Sequence, residues 1–459
     1  MSREMVMNRR FGSTLLALAV LFCCLFTVSA WADSQARIVR LSDVEGNVQI
    51  DRATGDGYEK AFLNMPVTEG VSLRTTEDAR AEVEFEDGST IHLVPNTVLH
   101  FTTLSLRDSG AKVSTIDFQQ GQAYFNFTGK HDDEFKITFA EQSATLTRSA
   151  HFRIEVDKGS AAVAVFKGDV HVEGPAGAVE IGSKHTASFD LSNNGQFELA
   201  KNIAHSPFDS WDKQLADYHL RYAAKSYDTP YSYGMNDLNY YGSYYDVPGY
   251  GRCWQPYFTG FGWDPFMDGA WMWYPGFGYS WVSAYPWGWT PYHYGSWLFV
   301  PGYGWMWRPG STWVAWNRVP TMLNPPRAYV PPRPPVIPHG TVVVGRGPTP
   351  SLVSSGVVSG TKLVIKEDRA GLGVPRGVRN LPSLNRQFET RGVTQMPAMV
   401  GRNGIAAPAN SRAATATPAV RGATPRMSSP RAEGGFSGSR SSASSHSSSS
   451  SSRSSASHR

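Results

Sequence analysis

With 459 residues the chain has room for two or three domains, each large enough to hold its own core. Only one of its three cysteines, Cys253, lies beyond the N-terminal region, which excludes a disulfide framework within one mature molecule. The net charge of +4 conceals an asymmetry: residues 321–459 carry 16 Arg and 2 Lys against 4 acids, and residues 33–320 carry 12 more acids than bases. An acidic body therefore precedes a basic tail.

At the N-terminus, Arg9 and Arg10 precede an apolar run from Leu15 to Val28 and the small-x-small site Ala30-Trp31-Ala32, with Val28-Ser29-Ala30 as an alternative. That order predicts a secretory signal peptide over residues 1–32, cleaved before Asp33. The run is shorter than the ~20 residues of a spanning helix, which disfavours an uncleaved anchor. Bulky Leu21 and Phe22 ahead of Cys23 and Cys24 argue against a lipoprotein signal. No other stretch is long enough to cross a bilayer, so the mature chain is expected in the periplasm or at the cell surface, without a transmembrane anchor.

Residues 36–200 alternate with a period of two, as in Ala81-Glu82-Val83-Glu84-Phe85-Glu86 and Phe152-Arg153-Ile154-Glu155-Val156. Asp87-Gly88-Ser89, Gln120-Gly121 and Lys167-Gly168-Asp169 punctuate them as turns. Short strands at this spacing predict an antiparallel β-domain, either a sandwich or a short solenoid-like stack of hairpins. Glu84 and Glu86 read as a solvent-facing stripe on one strand. A connecting helix is expected over residues 205–226. Ser206-Pro207 opens it, and Phe208, Trp211, Leu215, Tyr218 and Tyr222 form its apolar face.

Residues 227–320 form an aromatic-repeat module containing 12 of the 14 tryptophans. Pro-Gly-[Phe/Tyr]-Gly-x-x-Trp occurs at Pro248–Trp254, Pro275–Trp281 and Pro301–Trp307, and two blocks, Gly262–Trp281 and Gly288–Trp307, align without a gap. Fixed-period similarity of this kind marks a repeated supersecondary unit. Residues 321–459 turn Pro-rich and then Gly/Arg/Ser-rich, a composition that predicts disorder except for a short strand around Thr361–Lys366. Such a tail is expected to contact anionic surface polymers and to be dispensable for the stability of the body.

The stretch Asn64-Met-Pro66-Val-Thr-Glu-Gly70-Val-Ser-Leu73-Arg-Thr75, then Arg80-Ala-Glu82-Val-Glu-Phe-Glu-Asp87-Gly88-Ser89, Phe118-Gln-Gln-Gly121 and Val165-Phe-Lys-Gly168-Asp-Val-His-Val172, resembles the FecR-type extracytoplasmic domain of bacteria. The resemblance covers roughly residues 36–190 and implies an all-β domain of the cell envelope. Founding members of that family relay an outer-membrane signal to a cytoplasmic sigma factor. They carry an anti-sigma segment ahead of a membrane helix, whereas about ten residues precede the apolar run here. Ser149-Ala150-His151 also stands where many relatives have a Gly-Thr turn. The aromatic repeats look like an uncharacterised Trp/Gly-rich domain that commonly follows FecR-type domains.

Catalytic chemistry finds no support: there is no Gly-x-Ser-x-Gly elbow, no His-Glu-x-x-His and no Cys-His arrangement, and no cofactor is implied. His131-Asp132-Asp133-Glu134 reads as a charged hairpin loop rather than a metal site. Arg252, Arg308 and Arg318 make no basic groove, so nucleic-acid binding is not expected. The rings of the repeats serve either as the core of a small β module or, where exposed, as a stacking platform. The platform candidates are Trp254, Trp263, Trp271, Trp273, Trp281, Trp289, Trp297, Trp305 and Trp307. The resulting expectation is a non-enzymatic envelope protein that binds or scaffolds, with an envelope polysaccharide or a partner protein as ligand. Signal sensing of the FecR kind is the alternative, and a cell-wall-active enzyme the remotest.

Overall fold

The computed structural model describes residues 37–129, 132–223, 233–260, 262–314, 316–336 and 369–391, and short strands at 341–345, 363–365, 394–396, 398–400 and 406–408. The expected signal peptide and much of the expected tail lie outside the described residues.

Seventeen strands between Val39 and Ala200 build the β-domain as two ladders. The long strand Lys112–Phe127 belongs to both. Its second half pairs with Thr90–Leu93 and Ala150–Asp157, and its first half with Val98–Leu106 and Glu134–Phe139. Gly121 marks the crossing with a φ of +93°, and a Cβ there would collide with the backbone of Asn96 and Thr97. The inner faces meet in one core, where Phe127 and Phe85 of the first ladder approach Phe135 of the second at 5.2 and 5.3 Å. The β-domain is thus a sandwich. The expectation of wholly antiparallel pairing needs one correction, because Glu134–Thr138 runs parallel to Val113–Asp117. The chain leaves the first ladder at Phe127 and re-enters the second beside the start of the same strand.

Three hairpins form the aromatic module: 242–247 with 251–256, 268–274 with 278–283, and 294–300 with 304–313. Each Pro-Gly-aromatic-Gly motif is a hairpin turn. Proline presets the first turn position, and Gly249, Gly276 and Gly302 take the positive φ required at the next (+81°, +78° and +86°). The turns close with bonds from Tyr250, Phe277 and Tyr303 N–H to Val247, Tyr274 and Val300 O. The first and third hairpins join in a five-stranded sheet, and the second pairs with Thr341–Gly345.

Helix α1 (Asp209–Tyr222) lies on the outer face of the first ladder, burying Trp211, Asp212, Leu215 and Tyr218. It begins later than Ser206, yet Ser206 and Asp209 bond reciprocally at its start: Ser206 N–H donates to Asp209 Oδ2 and Asp209 N–H to Ser206 O. Helix α2 (Met235–Tyr241) follows, then the short α3 (Thr290–His293). One apolar cluster runs without interruption from Val39 and Leu41 of the sandwich to Trp271 and Trp297 of the module.

The expected disorder beyond residue 320 is corrected at Thr321–Leu323 and Thr341–Gly345, which pair with the hairpins, and at Arg369–Arg391. Ala370, Val374, Val378, Leu381 and Leu384 are buried against the body, and Leu381–Arg391 is helical (α4). These apolar residues recur every three or four positions, but Gly371, Gly373, Pro375 and Gly377 between them give the stretch the composition of a disordered chain. The expected strand near Thr361–Lys366 is present as Leu363–Ile365, paired with Thr394–Met396.

Candidate functional site

Eight of the nine platform candidates are buried: Trp254, Trp263, Trp271, Trp281, Trp289, Trp297, Trp305 and Trp307. Trp273 is half-buried against Tyr279. The platform is therefore corrected to a core. Its hub is Trp287, a residue outside the candidate set, which stacks on Tyr285 at 5.0 Å and meets Trp254, Trp263 and Trp297 within about 6 Å. Several indole N–H groups are consumed internally: Trp254 donates to Leu238 O, Trp297 to Pro291 O and Trp307 to Tyr294 O. Rings held this way cannot offer a face to a sugar.

The residues that sequence reading missed lie on the outer face of the first ladder. Cross-strand register aligns Glu82, His92, Tyr124 and Arg153 in one row. Helix α1 covers this row and pairs with it. Asp212 bonds His92 Nδ1 at 2.8 Å and His151 Nε2 at 2.9 Å. Asp209 accepts from Tyr124 OH and Arg153. Glu84 and Glu86, both read as solvent-facing, are buried, and Glu82 is buried completely. Glu82 receives His219 Nε2 at 2.9 Å and Ser42 Oγ at 2.7 Å, and His92 Nε2 lies 3.2 Å away. Arg40 reaches Glu84 at 2.7 Å on one side and Asp237 of α2 on the other, joining sandwich to module. Arg376 closes the cluster with one bond to Glu82 (2.7 Å) and two to Asp237 (3.1 and 3.2 Å), its guanidinium 4.7 Å from the Tyr218 ring.

The electrostatics follow from this geometry. Burial alone would lower the His92 pKa, but Asp212 and Glu82 outweigh it and push the imidazole up to about 9. Burial would raise Asp212, yet His151 and His92 hold it at about 2. Glu82 sits well below the usual carboxylate range because His219 and Arg376 overcome its desolvation. Arg376 and Arg40 likewise outweigh burial at Asp237 and lower its pKa.

Two further contacts join the parts. Asn64 donates to Ser283 O (3.0 Å) and Tyr285 O (2.7 Å), and Arg52 bonds the carbonyl of Trp273. A model of the FecR protein family matches residues 71–171, the centre of the sandwich that presents this charged face. The chain carries a FecR domain. The model of a family of unknown function (DUF6600) matches residues 235–331, from α2 through the three hairpins. Two crystal structures of a protein from Parabacteroides distasonis, provisionally described as an anti-sigma factor, are similar at 18% identity. Each similarity covers 34% of this chain and 68% of that one, with a TM-score of 0.26. None of the curated proteins compared matches.

Elsewhere on the FecR domain, an open cleft of about 630 Å³ is lined by Arg107, Asp132, Asp133 and Glu134. Arg107 pairs with Glu134 and Lys112 with Asp133, while His131 of the expected charged loop lies outside the described residues. Cys253 is buried beside Leu298, Val300 and Met306, and burial raises its thiol pKa. Among the described residues no His/Cys/Asp/Glu group is arranged to hold a metal, and no helix is long and apolar enough to cross a membrane.

Proposed function

We propose that the protein is an exported, non-catalytic sensor of the cell envelope, in which the FecR domain recognises a partner protein and the aromatic module serves as its rigid base. The observation that carries this reading is the fate of the rings: eight of the nine candidate tryptophans are core, which leaves the FecR domain as the part with a recognisable role. The histidines and carboxylates of the outer face are tied to one another and to Arg376, an arrangement that suits structural coupling better than proton transfer to a substrate. The test compares transcripts of a strain lacking the protein with those of the restored strain. Altered sigma-factor-dependent transcripts support sensing. Unchanged transcripts with a weakened envelope would replace it by scaffolding.

A second reading, glycan binding, is favoured by one specific pair. Tyr245 and Tyr303 are exposed on neighbouring hairpins with centroids 6.2 Å apart. Titration of intrinsic fluorescence with a panel of envelope glycans, in wild type and Tyr303→Ala, decides it. A saturable shift lost in the variant supports the reading, and a flat response removes it.

A further inference from the structure

Residues 370–378 meet the body in the manner of a bound peptide. Three aromatic donors of the module read its backbone carbonyls: Trp287 Nε1 to Ala370 O (2.6 Å), Tyr241 OH to Val374 O (2.8 Å) and Tyr240 OH to Val378 O (2.7 Å). Ala370 N–H returns a bond to Phe258 O at 3.0 Å. Main-chain recognition by fixed side-chain donors places little demand on the identity of the ligand's side chains. The exception is Arg376, whose planar fork is held between Glu82 and Asp237 over the Tyr218 ring.

Three observations separate this segment from an ordinary core element. Within residues 37–336 the sandwich and the hairpins hold each other directly, through Asn64 to Ser283 and Tyr285, Arg52 to Trp273 and Arg40 to Asp237. The acidic groups of the pocket keep partners when Arg376 is withdrawn: Asp237 retains Arg40 and Tyr218 OH, and Glu82 retains His219 and Ser42. The charge of the whole chain is complementary, with an acidic body and a segment drawn from its basic portion.

We propose that the surface formed by Tyr240, Tyr241, Trp287, Asp237 and Glu82 is a peptide-docking site for an apolar segment bearing one arginine, occupied here by the chain's own residues 370–378 and exchangeable with the same segment of a second copy. This assignment does not depend on the sensing role proposed above. Exchange of a docked segment between identical chains costs little, because the contacts made are the same.

The test starts from the full mature chain with a specific protease site inserted between residues 350 and 360, cut after folding. A labelled synthetic peptide of residues 369–391 is then offered to the nicked protein. Displacement of the native fragment by this peptide is expected, with the Arg376→Gln peptide binding about thirtyfold or more weakly, as befits a lost partner in a buried charge pair. Arg376→Lys should fall between them, since it keeps the charge and loses the fork. A fragment that neither leaves nor exchanges until the whole chain denatures would overturn the proposal and make the segment an integral element. Equal binding of the wild-type and Arg376→Gln peptides, or none by either, would overturn it as well. Placing the substitution in the peptide keeps the folding of the body out of the result.

Discussion

His92 and His293 are both buried, and their surroundings drive them in opposite directions. His92 lies between Asp212 and Glu82 and is raised to about 9. His293 is sandwiched by Trp289 (4.4 Å) and Trp313 (4.6 Å), where burial alone lowers it to about 3. Linkage gives the signs. The His92 contribution is complete below pH 6.5, its unfolded value, and fades as pH rises through 9. The His293 contribution is complete above pH 6.5 and fades as pH falls toward 3. Stability should therefore peak near neutrality, and urea denaturation as a function of pH is expected to show both flanks. His92→Gln should flatten the alkaline flank, and His293→Phe the acidic one down to the range where Asp212 begins to protonate. Arg40 has no such dependence on pH. Replacing it with Leu strands Glu84 and Asp237 with one fewer cation in a buried site, an expected loss of about 3–5 kcal/mol measured by the same denaturation.

Among the elements, the hairpins carry the clearest link from sequence to shape. Gly276 occupies a left-handed turn position with open space around it, so Gly276→Ala should cost only the backbone strain, about 1–2 kcal/mol. Gly269 poses a different problem: a Cβ there would collide with the Trp281 ring and Val282 O, and Gly269→Ala should cost more than Gly276→Ala. Trp271 and Trp297 occupy equivalent places in the two repeat blocks, each opposite another tryptophan (Trp281 and Trp307) and each fully buried. Alanine at either is expected to cost about 3–5 kcal/mol in chemical denaturation, and Trp273→Ala less. The turn motif was legible because proline and glycine have few backbone alternatives. Ring burial was not, since a tryptophan in a hairpin points to one of two faces and the sequence does not say which face is covered.

At the scale of the molecule, the FecR domain and the aromatic module share one core and polar joints at Arg40, Glu84, Asn64 and Arg52. Calorimetry of residues 33–459 should accordingly show one transition for both, where independent domains would show two. The docked C-terminal segment adds to that body. Truncation after residue 366 is expected to lower Tm, because it removes Arg376 from Glu82 and Asp237 and uncovers the surfaces that Val374, Val378, Leu381 and Leu384 bury. Adding the peptide of residues 369–391 in trans should restore part of the loss.

What the amino-acid sequence determined alone is local. Period-two alternation made the sandwich strands, Pro-Gly-aromatic-Gly made three hairpin turns, and Trp211, Leu215 and Tyr218 at helical spacing made the covered face of α1. The tertiary structure decided which faces met solvent. Glu82, Glu84 and Glu86 recur at every second position, the pattern of a solvated stripe, and they are buried by distant partners: Glu82 and Glu84 by α1 and the start of α2, 137 and 150 residues downstream, Glu82 also by Arg376, 294 downstream, and Glu86 by Arg37, 49 upstream. The same holds for the aromatic repeats, whose rings stack inward on Trp287. Burial is a property of the neighbours that long-range packing supplies, and a pattern confined to one strand or one hairpin carries no record of them.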